Sequence, residues 1–336
     1  MIRWLFSLLV CSLLFAAGAA GYFKYWQQQP LNLGQSVVLE VHPGDSLTNV
    51  VDALHRVMPT PISNQSPRLF TLLAYQRNAA GKIQVGEYEL APGITPVGVL
   101  QLLEEGRVVQ HEFRIIEGTT VKQLLLQLAA ESRLGQTLQA ADQTELAAEL
   151  NLATPYSEGL FFPDTYLFRK GSTDADLLQR AHQALQDHLQ SVWEGRASAI
   201  GVSDPYQALI LASIIEKESA LVEDQHTISQ VFHNRLSRGM RLQTDPTVIY
   251  GIGERFDGNL TRQHLRTDTP YNSYTRHGLP PTPIALVSRA ALEAAVHPSQ
   301  GDYLYFVARG DGSSQFSQTL EEHNAAVRRF QLKTRS

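Results

Sequence analysis

The sequence predicts a mixed α+β protein: one N-terminal transmembrane helix, a small α+β domain and a larger α+β domain. Three observations predict it. Trp4–Phe23 carries no charge over twenty residues. A strand–Gly-x-Ser/Thr–helix pattern occurs three times between residues 37 and 132. From about Leu150, helical periodicity alternates with loops rich in Tyr, Asn, Asp and Pro. The 336 residues are 43% hydrophobic and 18% charged, which suits a folded chain. A net charge of −5 argues against a nucleic-acid partner. Cys11 is the one cysteine, so an internal disulfide and a cysteine metal cluster are both excluded. The histidines form no metal-binding pattern, and neither metal nor cofactor is expected.

The apolar run comes first. Twenty such residues form a helix long enough for a bilayer core. Ala17-Gly18-Ala19 resembles the cleavage site of a signal peptide. The run continues past it to Phe23, which favours an uncleaved anchor over residues 1–24. Val10 is too large before Cys11 for a lipoprotein site. Residues 25–36, with "QQQPLNLGQS", read as a linker.

The small domain, 37–132, holds the repeats "LEVHPGDSLTNVVDAL", "YELAPGITPVGVLQLL" and "FRIIEGTTVKQLLLQL". Before each glycine, Leu39 and Val41, Tyr88 and Leu90, and Phe113 and Ile115 alternate as on a half-buried strand. After each hydroxyl residue, Val50, Val51 and Leu54, then Val99, Leu100 and Leu103, then Leu124, Leu125 and Leu128 form a helical stripe. The glycines suit a tight turn. Ser46, Thr95 and Thr120 suit helix caps better than catalysis. The unit resembles the LysM module, which binds cell-wall glycan. A plain α+β spacer accounts for the pattern equally well.

The large domain, 150–336, shows helical patterns at Asp174–Val192, Pro205–Val222 and Thr227–Leu236, with loops at 242–251, 269–284 and 295–312. Within Pro205–Val222 stands "SIIEKESA" (213–220). At about 100° per residue, Ile210, Leu211, Ile214, Ile215, Leu221 and Val222 share one face with Glu218. Glu216 lies about 200° away, and Lys217 sits at the edge of the apolar face. Glu218 is therefore the carboxyl turned inward. Lost hydration raises such a pKa, as a general acid requires; a structural ion pair is the alternative.

"SIIEKES", "EGLFFPDTY" (158–166), "VFHNRL" (231–236), "LQTDPTVIYG" (242–251), "YNSY" (271–274), "GLPP" and "EHN" (322–324) closely resemble the endolytic murein transglycosylases of the MltG (YceG-like) family. The resemblance implies an enzyme of the bacterial inner membrane, held through residues 4–23, with its catalytic domain in the periplasm. It implies cleavage of the β-1,4 bond between N-acetylmuramic acid and N-acetylglucosamine inside nascent peptidoglycan strands, leaving 1,6-anhydro ends. It further implies association with penicillin-binding glycan synthases. The family's catalytic glutamate aligns with Glu218. A hydrolytic muramidase, with Asp245 or Glu216 as second carboxylate, and a non-catalytic wall-binding scaffold are the competing readings.

Substrate-gripping candidates are Glu216, Gln243, Thr244, Asp245, Tyr271, Asn272, Tyr274, His323 and Asn324. Each has a packing or capping alternative. Glu158, Phe162, Asp164, Tyr166, Asn234 and Arg235 are expected to support the site, with Arg235 a partner for Glu216. Two positions depart from the family pattern. Thr282 stands where the family often has Gly, and Ser314 where it tends to have His.

Overall fold

The computed structural model describes residues 2–57, 66–79, 81–219 and 221–332. In chain order the elements are α1 (Ile2–Gln27), β1 (Val37–Val41), α2 (Leu47–Val57), α3 (Ser66–Gln76), β2 (Gly86–Leu90), α4 (Pro96–Glu105), β3 (His111–Arg114), α5 (Val121–Ala130), α6 (Gln143–Glu149) and β4 (Thr165–Phe168). There follow α7 (Asp174–Glu194), α8 (Pro205–Glu218), α9 (Val222–Ser237), α10 (Asp245–Ile252), α11 (Arg262–Arg266), α12 (Arg289–Val296), β5 (Tyr305–Ala308), β6 (Ser314–Ser317) and α13 (Leu320–Val327). Among the described residues the strands pair as three ribbons, β1–β2, β3–β4 and β5–β6. The class is the expected α+β. The chain divides into a first unit, Met1–His111 with Leu167–Gly171, and a second, Glu112–Tyr166 with Ser172–Ser336.

In the first unit, β1 and β2 run antiparallel with Leu39 opposite Tyr88. Their alternation buries Leu39, Val41, Tyr88 and Leu90 against Val50, Val51 and Leu54 of α2 and Val99, Leu100 and Leu103 of α4. Gly44 and Gly93 turn each strand into its helix at φ of +84° and +86°, a region costly for any residue with a Cβ. The hydroxyls cap as expected: Thr95 accepts from the Gly98 N–H and Ser46 from that of Asn49. Helix α1 is long and apolar enough to cross a membrane. It runs on to Gln27, and its Trp26 is buried in this core together with Leu33. The stretch expected as a linker is thus partly core, because its large apolar side chains find a packed partner.

The third repeat copy belongs to the second unit, although the sequence groups it with the first two. Its turn is tied there by backbone bonds between Gly118 and Leu286 and between Leu286 and Thr119, each 2.8 Å. Thr120 caps α5 through a reciprocal bond pair with Gln123. The second core surrounds α8. Every residue from Ala208 to Ile215 is buried, packed by Leu185 and Leu189 of α7, Ile228 and Phe232 of α9, and α12. Ala291, Ala294 and Ala295 of α12 are small enough to let that helix approach closely. Asp204 caps α8 by accepting from the Gln207 N–H, with Pro205 at the first turn.

One helix to Val222 is not what forms: α8 ends at Glu218 and α9 begins at Val222. Ser219 adopts an extended backbone, and its hydroxyl accepts from the Leu221 N–H at 3.1 Å. That local bond competes with the helical one. Leu221 and Val222 are consequently exposed, not part of an inward face.

Candidate active site

Glu218 is the last residue of a helix whose central stretch, Ala208–Ile215, is sealed in the core. Its side chain is half-buried, with protein around most of the carboxyl. Thr244 reaches it from the start of α10. At that N-cap position Thr244 makes no capping bond; its hydroxyl donates to Glu218 Oε1 instead. The residue before it, Gln243, is exposed and holds φ at +50°, an uncommon value outside glycine. A buried hydroxyl cluster fixes this turn. The Thr244 N–H donates to Ser273 Oγ at 3.0 Å, Thr247 Oγ1 lies 2.8 Å from Ser273 Oγ, and the Gln243 N–H donates to the Ser273 carbonyl at 3.2 Å.

Burial pushes the Glu218 carboxyl up to about 7. The Thr244 hydroxyl opposes this by stabilising the anion, the Asp245 charge adds to it, and the Arg235 charge opposes it. At neutral pH the group is therefore about half protonated, which suits proton transfer in both directions. Asp245 is exposed and accepts from the Tyr274 hydroxyl at 2.6 Å. Burial and this bond raise the Tyr274 pKa, so its proton stays on.

Arg235 is buried and bonds to backbone oxygens, those of Leu304 and Leu242 at 2.7 Å and of Arg241 at 3.3 Å. It anchors the segment that leads to Thr244. Its guanidinium carbon lies 5.2 Å from the Tyr305 ring centre, and Tyr305 stacks on His323 at 5.3 Å. Burial and the Arg235 charge push the His323 imidazole pKa down. The expected partner of Arg235, Glu216, is engaged elsewhere. Its Oε2 accepts from the Ser288 N–H at 3.0 Å and hydroxyl at 2.6 Å, at the start of α12. Glu216 is a helix-anchoring group, because Ser288 and not Arg235 lies within its reach.

The other candidates separate cleanly. Asn272 is fully buried; its amide donates to the carbonyls of His264, Leu265 and Thr267 and its oxygen accepts from the Tyr274 N–H. It closes the end of α11 and is sealed from the surface. The Tyr271 hydroxyl is 2.8 Å from that of Thr282, and its ring meets Tyr250 edge-on. Thr282, the departure from Gly, is thus a buried bonding partner. Ser314 opens β6, its N–H donating to Asp224 at 2.7 Å. Asn324 is exposed.

Among the supporting residues, Glu158 is buried and accepts from the Val121 N–H at 2.9 Å and the Tyr250 hydroxyl at 3.0 Å. Burial pushes its pKa up to about 7. Phe162 lies in the core, and the Tyr166 hydroxyl donates to its carbonyl at 2.8 Å. Asn234 donates to the carbonyls of Gly301 and Tyr303, while Asp164 is exposed and bonds the Thr165 N–H. The structure thus gathers Glu218, Thr244, Asp245, Tyr274 and Arg235 around one acid. Sequence reasoning omits Ser273, which holds Thr244, and Tyr305, which sits between Arg235 and His323. Ser273 is written in "YNSY" but lacks any periodic or charge signal.

The family model described as the YceG-like family matches residues 39–329. The chain belongs to the YceG-like family. It is 30% identical over 288 residues to the endolytic murein transglycosylase of Bacillus subtilis strain 168, covering 79% of this chain and 78% of that relative. It is 31% identical over 176 residues to the endolytic murein transglycosylase of Streptococcus pneumoniae serotype 2, covering 51% of this chain and 31% of that relative. A crystal structure of a YceG-like protein from Listeria monocytogenes shares the fold at a TM-score of 0.54 and 29% identity, over 87% of this chain and 99% of that one. The YceG-like match spans Glu218, Thr244, Asp245, Tyr274 and Arg235.

Proposed function

We propose that this YceG-like chain is an endolytic lytic transglycosylase of peptidoglycan, with Glu218 as acid and then base. The observation that carries this reading is the Glu218 carboxyl, held near pKa 7 by burial with a hydroxyl donor on one oxygen, and only half-buried where Glu158, pushed equally high, is sealed inside. The relatives named endolytic murein transglycosylases supply the substrate class.

Protonated Glu218 donates to the oxygen bridging N-acetylmuramic acid and N-acetylglucosamine, and the C1–O bond breaks. Thr244 keeps the carboxyl oriented throughout, and Arg235 stabilises the carboxylate that forms. That carboxylate takes the proton from the muramoyl C6 hydroxyl as its oxygen closes on C1. A 1,6-anhydro end results, and the acid is restored. The nucleophile is tethered to the substrate, so proximity replaces a bound water. Glycosidases otherwise need two carboxylates. In this reading Tyr274, Asp245, Gln243 and His323 line the sugar path.

Helix α1 serves as a single anchor in the bacterial inner membrane, with the rest in the periplasm beside nascent strands and their penicillin-binding synthases. The first two repeats form a LysM-like module for glycan. A hydrolytic alternative is favoured by one fact, that Asp245 stands near enough for its charge to raise Glu218. Mass spectrometry of digested glycan separates the two. Anhydro ends support transglycosylation; ends heavier by one water support hydrolysis. Glu218→Gln abolishes anhydro ends in this account, and an unchanged yield refutes it.

A further inference from the structure

We propose that the outward face of α3 lies on the lipid surface from which α1 emerges, a second and peripheral membrane contact of the first unit. This rests on the reading of α1 as an anchor. The junction between α1 and the first unit is packed. Trp26 is 6% exposed in the first core, Phe23 stacks on it at 6.0 Å, and the Leu31 N–H donates to the Ile94 carbonyl at 2.7 Å. The first unit is therefore fixed to the end of the span, and one of its surfaces faces the bilayer.

The surface that does so is identified by a hydrogen bond. Gln27, the last residue of α1, donates to Gln76, the last residue of α3, at 3.4 Å. Phe23, where the uncharged run ends, is only about 6 Å below Gln27 along the helix axis. The end of α3 is thus at the level of the lipid headgroups.

Helix α3 is apolar on two sides. Phe70, Leu73 and Ala74 are buried in the first core. Arg68, Leu72 and Tyr75, at i, i+4 and i+7, point out, with Leu72 52% and Tyr75 67% exposed. A surface helix has no use for that second stripe in water. Tyr22 and Tyr25, in the last turns of α1, are also exposed. Tyrosine places an apolar ring and a polar tip at this depth of a bilayer. The charges agree. Lys24 and Arg68 carry positive charge, α3 has no acidic residue, and no acidic residue precedes Glu40. Such a face is attracted to anionic headgroups. With α1 alone, the unit turns freely about the helix axis; with α3 also seated, it holds one orientation.

The test uses the full chain. Cys11→Ser removes the one cysteine. Nitroxide labels are then placed singly through Leu9→Cys, Asp52→Cys, Leu72→Cys and Tyr75→Cys, and each protein is reconstituted in vesicles of phosphatidylethanolamine and phosphatidylglycerol. Electron paramagnetic resonance compares collisions with oxygen, which enriches in lipid, and with a water-soluble nickel chelate. The expected result is an oxygen preference at positions 9, 72 and 75 and a nickel preference at exposed position 52. Nickel access at 72 and 75 equal to that at 52, with 9 shielded, overturns the proposal while leaving the anchor intact. Low collision with both reagents at 72 and 75, or broadening between labels, means coverage by protein or by a second copy and also overturns it. Nickel access at 9 overturns the anchor reading and this inference with it.

Discussion

Replacing Glu218 with glutamine separates the chemistry of the site from its stability. The amide oxygen still accepts from Thr244, so the shape is kept while the ionisable proton is lost. The native pKa stands at about 7 against an ordinary 4.5. At about 1.4 kcal/mol per pKa unit, this rise of about 2.5 corresponds to roughly 3.4 kcal/mol lost when the buried carboxyl ionises. Partial exposure screens some of it, and about 2 kcal/mol is a reasonable remainder. The folded pKa is the higher one, so the native state binds the proton more tightly. The stability that this proton supplies is fully present below pH 4.5 and is lost as pH rises through about 7. Glu218→Gln, which cannot ionise, should match the wild type in acid and exceed it at alkaline pH. For a unit of this size, about 2 kcal/mol is a gain of roughly 4–8 °C in Tm. Thermal melts of both proteins at acid and alkaline pH, with mass spectrometry of glycan digests, make the measurement. A variant less stable than the wild type at alkaline pH, with the difference vanishing in acid, would mean that Glu218 is a structural anion. Retained anhydro ends would remove its catalytic role altogether.

Glu216→Ala should behave in the opposite way. Loss of the two Ser288 bonds costs about 2 kcal/mol of stability in melts, while turnover per folded molecule survives. Thr244→Val removes the donor that holds Glu218 down, so turnover falls and the alkaline limb of the pH–rate profile moves to higher pH; a limb that moves down refutes the assigned bond. Glu158→Gln should stabilise by up to about 3 kcal/mol above pH 7, with the gain vanishing toward pH 4.5 and activity kept. Asn272→Ala should lower Tm, because three carbonyls lose their donor, at about 1–3 kcal/mol for groups left buried; weakened glycan affinity with unchanged Tm would restore it to the binding surface.

The α+β class, the first two repeat units and the capping hydroxyls are legible because their causes are local: alternation, a turn glycine and a hydroxyl at fixed spacing. Glu218 is also legible, yet not for the periodic reason. From Ala208 to Ile215 all sides of α8 are buried, so an angular pattern has no polar side to contrast with. What singles out Glu218 is its place at the helix end, and that end is set by Ser219, a signal too slight to read beforehand. Glu216 and Ser288 meet across 72 positions of sequence, and no spacing announces it. Arg235 bonds to carbonyls, which every residue possesses, so its partners carry no sequence signature at all. The polar loop residues Asn272 and Ser273 resemble ligand groups in composition but serve the backbone.

The termination of α8 at Glu218 has an electrostatic consequence of its own. Aligned peptide dipoles leave about half a negative charge at the carboxyl end of a helix, on its last free carbonyls. The proposed acid stands at that end of a fourteen-residue helix. The helix field opposes its ionisation with the same sign as burial, and does so without any neighbouring side chain. Water entering with a glycan strand weakens the effect of burial, but it leaves the backbone dipoles in place. A proton on Glu218 is therefore favoured by the direction of the chain itself, and reversing that direction, with the glutamate at the amino end of the same buried helix, would instead favour a permanent anion.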